Sequence, residues 1–392
     1  MYPCLMPIKP ITDTARLAEF CTRLSSAEYV TVDTEFMRES TFWPILCLVQ
    51  VAGPDEAQCI DAMAPGIDLT PLYDLMADEK VLKVFHAGRQ DLEIFYHAMG
   101  QVPHPVFDTQ LAAMVCGLGD QVGYENLLAQ TIGVTVDKSS RFTDWSRRPL
   151  SDKQLAYAMG DVTHLRPVYE KLAKRMEKTG RAHWLDEEMA VLTAPETYKS
   201  DPEDAWRRIK GRGGKGKRYL AILIEVAAWR EREAQRRDIP RNRMLRDEAI
   251  QEIASHAPLK AETLGHVRGI SQKMAEGSAG EGILKAIQDG IARPPHSLPA
   301  PPERAERLPP GLGPLTDLLK VLLKENCEKH NVAPRLVASG DDLERIAADD
   351  EADVRALKGW RREIFGEDAL ALKSGKIALA AEGKKIRVIP LD

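Results

Sequence analysis

The chain is 392 residues long, 44% hydrophobic and 29% charged, with a formal net charge of −5. That length suffices for two or three domains, each able to bury a core, and the composition is that of an ordinary soluble protein. A negative balance argues against attraction of nucleic acid by the chain as a whole, so any such binding must come from a local patch.

In chain order, the first half alternates strand-like and helix-like segments. Tyr29–Phe36 has period-2 alternation, and Ile45–Val51 and Ala57–Asp61 follow at hairpin spacing. Val81–Phe85 predicts a fourth strand feeding a helix that starts near Asp91. Helices are predicted over Thr109–Leu118, Tyr124–Thr131 and Ser151–Lys178, the last opened by a capping box at Ser151-Asp-Lys-Gln154. Strands followed by crossover helices predict a mixed-sheet α/β domain over residues 1–195. After Asp201-Pro202 the patterns are purely helical. Two segments, 212–292 and 313–386, look like a diverged repeat. Each has a long apolar-periodic helix (Tyr219–Arg237; Leu315–Lys329), a Pro-Arg turn (Pro240-Arg241; Pro334-Arg335) and an acid-rich helix (Asp247–Ala254; Asp341–Ala347). Each then turns a basic-Gly-apolar corner, at Arg268-Gly-Ile270 and Lys358-Gly-Trp360. Between them, eight of the 25 prolines fall in Pro294–Pro314, which predicts a stiff linker over 293–312.

Six cysteines show no CxxC pair, and Cys47 and Cys59 lie in apolar runs, so buried thiols are expected. There is no basic-then-apolar leader and no apolar run of membrane-spanning length, so a reduced, cytoplasmic location is expected, with no membrane partner.

Chemistry concentrates in three short blocks: Val32-Asp-Thr-Glu-Phe36, His86-Ala-Gly-Arg-Gln-Asp91 and Tyr157-Ala-Met-Gly-Asp-Val162. Residues i and i+2 of a strand share a face, so Asp33 and Glu35 project together; residues i and i+4 of a helix are neighbours, so Tyr157 and Asp161 do too. Asp91 falls at the first turn after a strand. A pocket of four carboxylates without cations would repel itself, and oxygen-only ligands select hard divalent ions such as Mg²⁺ or Mn²⁺ over zinc.

In this order the blocks resemble the DEDD family of 3′–5′ exonucleases, in the subclass whose third motif is Tyr-x₃-Asp. The likeness extends to Asp33-Thr-Glu-Phe36, His86–Leu92, Phe107-Asp-Thr109, Asp144-Trp-Ser146 and Arg148-Pro-Leu-Ser151, all similar to ribonuclease D. The two helical repeats resemble HRDC domains. The resemblance implies a ribonuclease H-like exonuclease domain followed by two all-α HRDC bundles. It also implies two-metal hydrolysis of RNA from the 3′ end, releasing 5′-mononucleotides, with transfer RNA precursors as substrates. Asp33 would bridge both ions, Glu35 and Asp161 would complete the nucleophile-side ion, and Asp91 would support the leaving-group ion. Tyr157 would orient the attacking water, because a phenol with an ordinary pKa near ~10 is a poor base. A 3′–5′ DNA exonuclease and a catalytically silent RNA-binding scaffold on the same fold are the alternative readings.

Around these blocks, Phe36 is a candidate for stacking on terminal bases, His86 for touching a phosphate, and Trp145 and Arg148 for lining the substrate channel. Packing or hydrogen-bonded structural roles compete for each, and Phe42, Asp108 and His164 read as structural. Trp206–Arg246 holds fourteen Lys/Arg against four Asp/Glu. Within it Arg207, Arg208, Lys215 and Lys217 are candidate RNA contacts, the alternative being a solvated helix face. Gly211-Arg-Gly-Gly-Lys-Gly-Lys-Arg218 nearly spells a P-loop, but Arg218 stands where Ser or Thr is needed and no buried strand precedes it, so no nucleotide triphosphate is expected.

Overall fold

The computed structural model describes residues 8–137, 143–210, 216–299 and 309–391. Helix α1 (Thr14–Leu24) is capped by Asp13, which accepts the Arg16 amide at 2.9 Å, and buries Leu17, Phe20, Cys21 and Leu24 at helical spacing. The strands follow the alternating runs: β1 (Tyr29–Met37), β2 (Ile45–Ala52), β3 (Ala57–Asp61), β4 (Leu82–Phe85) and the short β5 (Val106–Asp108). They form one sheet in the order β3-β2-β1-β4-β5, with β1, β4 and β5 parallel and β2 and β3 antiparallel. The mixed sheet read from the sequence is therefore present. β1 is central, and its Val30, Thr31 and Val32 are fully buried, as expected for a strand covered on both faces.

Helices α2 (Thr70–Ala77), α3 (Arg89–Met99), α4 (Thr109–Val115) and α5 (Tyr124–Ile132) connect and cover the strands. The single helix predicted over 151–178 is two: α6 (Asp152–Thr163) and α7 (Leu165–Thr179), divided at His164. Pro167 has no amide hydrogen to give the Thr163 carbonyl, so one regular helix cannot run through. The capping box that starts α6 is as predicted: Ser151 Oγ accepts the Gln154 amide at 3.2 Å, and Gln154 Oε1 accepts the Ser151 amide at 3.0 Å. Helix α8 (His183–Thr193) follows.

Contacts divide the chain into two compact units, one drawn from Met1–Glu35, Leu46–Thr197 and Arg307–Asp392, the other from Phe36–Ile45 and Tyr198–Glu306. The second unit contains α9 (Lys217–Arg237), α10 (Arg241–Met244), α11 (Asp247–His256), α12 (Ala261–Leu264), α13 (Gln272–Ala275) and α14 (Ser278–Ala292). Its core also takes Phe42, whose ring lies 4.3 Å from the Arg241 guanidinium; Asp238 accepts the Phe42 amide at 2.9 Å.

The C-terminal bundle joins the first unit: α15 (Gly313–His330), α16 (Pro334–Val337), α17 (Gly340–Ala348) and α18 (Gly359–Arg361), a π turn over Arg362–Gly366, and α19 (Glu367–Lys373). An unpredicted hairpin, β6 (Ile377–Glu382) and β7 (Lys385–Pro390), closes the chain, with Gly383 in its two-residue turn at φ 62°. The repeat is visible in the backbone. Asp238 and Asn331 end the first helices at φ 49°, and the corner glycines, Gly269 and Gly359, also have positive φ. Residues 300–308 of the predicted linker lie outside the described residues.

One hydrophobic core runs from α4, α7 and α8 into the C-terminal bundle. Trp184 and Trp360 stack at 4.2 Å with planes 5° apart, flanked by the guanidinium of Arg181 on one ring and that of Arg361 on the other. Arg361 is buried and pairs with Glu187 at 2.6 Å and Glu188 at 3.0 Å. Gly117 approaches so closely that a Cβ there would lie 2.5 Å from the Asn331 backbone, and the Ala333 amide bonds the Met114 carbonyl at 2.9 Å. A second bundle held by its own core alone would not need these contacts.

Candidate active site

Thr31, Asp33 and Glu35 alternate onto one side of β1. The Thr31 hydroxyl donates to the Val162 carbonyl at 2.8 Å, drawing the last turn of α6 against the strand. In consequence Asp33, Glu35 and Asp161 each offer a carboxylate oxygen within 4.8 Å of the others. From the far side the Tyr124 hydroxyl donates to the carbonyls of Gly160 at 3.0 Å and Asp161 at 2.8 Å. Tyr157 lies one turn before Asp161 and is close enough to hydrogen-bond its side chain. Tyr157, Gly160 and Asp161 line a groove of about 280 Å³ with Lys153, Ala156 and His164 of the α6 side and Thr135–Asp137 opposite.

Asp91 is not part of that group of three. It is buried in the first turn of α3, and its carboxylate accepts the hydroxyl of Thr34, which points to the other side of β1. Its placement depends on the preceding turn, where Ala87 adopts φ 54°, a left-handed conformation unfavourable for alanine. Asp108 holds that turn: its carboxylate accepts the amides of Ala87 at 3.2 Å and Gly88 at 2.8 Å, and those of Gln110 and Leu111 at the start of α4. Gly88 is required sterically, since a Cβ there would lie 2.5 Å from Phe85 Cβ. Asp108 is thus structural, as read, but it is the structural residue on which Asp91 depends. Thr31 and Tyr124 were not singled out by sequence reasoning; Thr31 adjoins the first motif, but Tyr124 lies far along the chain from every motif and nothing local flags it.

Burial, then the charges of Asp91, Asp161 and Glu35, push the Asp33 carboxyl well above the usual range. Burial also raises Asp91, to about 6, although the Thr34 hydrogen bond offsets part of the effect. Burial and the charges of Asp161, Glu35 and Asp33 raise the Tyr157 phenol, so it stays protonated at neutral pH. Carboxylates that oppose one another's ionisation and offer only oxygen fit a hard divalent cation, which would invert that electrostatic conflict.

The flanking candidates are placed as follows. His86 is half-buried; its Nδ1 lies 3.0 Å from Thr109 Oγ1 and its ring 5.4 Å from that of Tyr124, and burial lowers its pKa. Trp145 is buried beside Tyr157. Arg148 is engaged with Asp61 at 2.6 Å and with three backbone carbonyls. Phe36 is half-buried next to Glu35 on β1. In the second unit, Arg207 pairs with Asp204 at 2.7 Å, and Arg208 pairs with Glu231 at 2.9 Å. Glu231 is fully buried; burial alone would raise its pKa, but Arg241, Ser200 and Arg208 hold it low. Arg208 therefore has a structural duty. Lys217 is exposed in the first turn of α9, and Lys215, with the rest of 211–215, lies outside the described residues. Cys21, Cys47, Cys59, Cys116 and Cys327 are all buried free thiols; burial pushes Cys59 up to about 12.

A family model described as 3′–5′ exonuclease matches residues 8–177, and an HRDC domain model matches residues 220–287. Fold, acidic site and these matches define a 3′–5′ exonuclease carrying an HRDC domain. Ribonuclease D of Nitrobacter hamburgensis is 54% identical over 96% of this chain and 98% of its own length, and that of Granulibacter bethesdensis 52% identical over 97% and 96%. The crystal structure of Escherichia coli RNase D, described as an exoribonuclease involved in structured RNA processing, covers 94% of this chain and 99% of its own at 30% identity, with a TM-score of 0.80. The chain belongs to the ribonuclease D family. Its activity is that of a 3′–5′ exoribonuclease. Among the described residues no helix is long and apolar enough to cross a membrane.

Proposed function

We propose that this exoribonuclease trims the 3′ ends of structured RNA in the cytoplasm, transfer RNA precursors among them, using two divalent ions, Mg²⁺ or Mn²⁺. The observation that carries the reading is the convergence of Asp33, Glu35 and Asp161 within 4.8 Å, with Tyr157 on the same helix face. When bound, the cations supply Lewis acidity for an attacking water and for the leaving 3′-oxygen. Asp33, central among the acids, is the carboxylate best placed to be shared between them. Glu35 and Asp161 flank it, and Asp91 serves from α3 at longer reach. Tyr157, kept protonated by its neighbours, works as a hydrogen-bonding group that orients water and not as a base. The C-terminal bundle, with its repeat of the α9–α11 arrangement, is in our reading a second HRDC domain.

The test uses matched 5′-labelled RNA and DNA, with either metal or with chelator, and with the 3′ end free or phosphate-blocked. A single-nucleotide ladder on RNA, erased by chelation and by blocking, is expected. Internal cuts or metal-independent cleavage would overturn the mechanism, and equal rates on DNA would replace the RNA substrate.

For the body of the RNA we propose the first turn of α9. Lys217 and Arg218 are exposed there, and the turn contains no acid. Two cations at a helix N-terminus oppose the helix dipole, an arrangement that an RNA phosphate relieves. Neutralising both is expected to weaken RNA binding and reduce the salt slope by about one unit per lost phosphate contact. An unchanged slope would return this turn to an ordinary solvated helix end.

A further inference from the structure

We propose that Arg148 and Asp61 form a tether that positions Trp145 against Tyr157, so that Arg148 serves the reaction through geometry and not by binding RNA. A guanidinium has five N–H donors, and here five acceptors of the chain itself take them. Nε donates to Asp61 Oδ2 at 2.7 Å; Nη2 donates to Asp61 Oδ1 at 2.6 Å and to the Cys47 carbonyl at 2.8 Å. Nη1 donates to the carbonyls of Trp145 at 2.7 Å and Arg147 at 2.9 Å. No donor remains for a phosphate.

The acceptors belong to two places. Cys47 and Asp61 lie on β2 and β3, while Trp145 and Arg147 lie in the loop that leads into α6. Asp61 is itself held, buried at the end of β3, with Oδ1 also accepting the Met63 amide at 3.0 Å. A planar fork on a planar carboxylate fixes direction as well as distance, which a lysine would not do. The tether therefore sets the loop on the sheet, and the loop carries Trp145. That indole is 2% exposed, and its ring centroid lies 6.2 Å from the Tyr157 ring with the planes 36° apart. Tyr157 gains a wall against which its ring rests, with its hydroxyl within hydrogen-bonding reach of Asp161.

The inference rests on the assignment of Tyr157 to the reacting centre. Its test compares Asp61→Asn, Arg148→Lys and Tyr157→Phe in the full chain, measuring kcat, KM and salt slope on 5′-labelled RNA together with thermal melting. Both tether variants are expected to lose about tenfold or more in kcat, with KM and salt slope unchanged. In the Tyr157→Phe background the same changes are expected to cost little further, because the hydroxyl they aim is gone. Asp61→Asn is the decisive variant: it removes a negative charge, so if Arg148 contacted RNA, binding would tighten and kcat would hold. A changed KM or salt slope with normal kcat overturns the tether in favour of RNA binding. A lowered melting temperature with normal kcat reduces it to a support of the fold. If Tyr157→Phe alone keeps wild-type kcat, the assignment of Tyr157 fails instead. Should the tether variants not fold, Trp145→Ala decides: it removes the wall and leaves the tether, and must reproduce the loss in kcat.

Discussion

Asp33→Asn is expected to abolish RNA turnover, by on the order of 10³-fold or more, and at the same time to leave the metal-free protein at least as stable as wild type. The two effects have one cause. Asp33 stands among three other carboxyl groups in a partly desolvated site, and all three, with burial, oppose its ionisation. In the metal-free protein near neutral pH that opposition is an energetic cost, borne either as repulsion or as an uptake of protons. Asparagine keeps the shape and loses the charge, so the cost disappears. The same change removes the acid most central to cation binding, so activity goes with it. Melting in excess chelator, beside a single-turnover assay in Mn²⁺, separates the two. Activity within tenfold of wild type, or a chelated melting temperature several degrees below wild type, would remove Asp33 from its assigned place. An ordinary structural aspartate would show the opposite pairing, with stability lost and catalysis kept.

The parts of this site that were legible in the sequence are those whose geometry is local. A strand places residues two apart on one face, so Asp33 and Glu35 follow from β1, and a helix places residues four apart on one face, so Tyr157 and Asp161 follow from α6. The three-residue β5 is too short for any periodicity to show. Pro167, just past the break at His164, was readable as a helix interruption, and the predicted single helix ignored it. What could not be read is long-range. The four acids come from separate segments: three offer oxygens within 4.8 Å of one another, and Asp91, the charge that weighs most on Asp33, accepts the hydroxyl of Thr34, 57 residues away. Nothing local in the sequence shows that Arg148 pairs with Asp61, 87 residues earlier. The repeat of two helical segments was visible, but the seat of the C-terminal one was not. It depends on the shapes of Gly117, Asn331, Trp184 and Trp360, which no periodic pattern encodes.

Divalent metal is expected to stabilise the protein, and the rise in melting temperature is expected to be larger near about pH 7.5 than near about pH 5. The Asp91 carboxyl is raised by burial from its ordinary value of 3.8 to about 6 on folding without metal. Between those values the folded state holds a proton that the unfolded state has released, so metal-free stability falls as pH rises through this window. Above the folded value the full penalty is present; a shift of this size corresponds to about 3 kcal/mol. Asp33 is displaced in the same direction and adds to the effect. A divalent cation removes the reason for the proton to stay, and must compete with it to bind. Its stabilising increment is therefore small where the acids are still protonated and large where they are not. Calorimetric melts with chelator and with saturating Mn²⁺ at both pH values measure the increment directly. Other groups also titrate over this range, but they contribute equally with and without metal and cancel in the difference. In Asp33→Asn the increment should shrink, and its pH dependence with it. An increment that is equal at both pH values, or greater at the lower one, would mean that these carboxyl groups do not hold the metal.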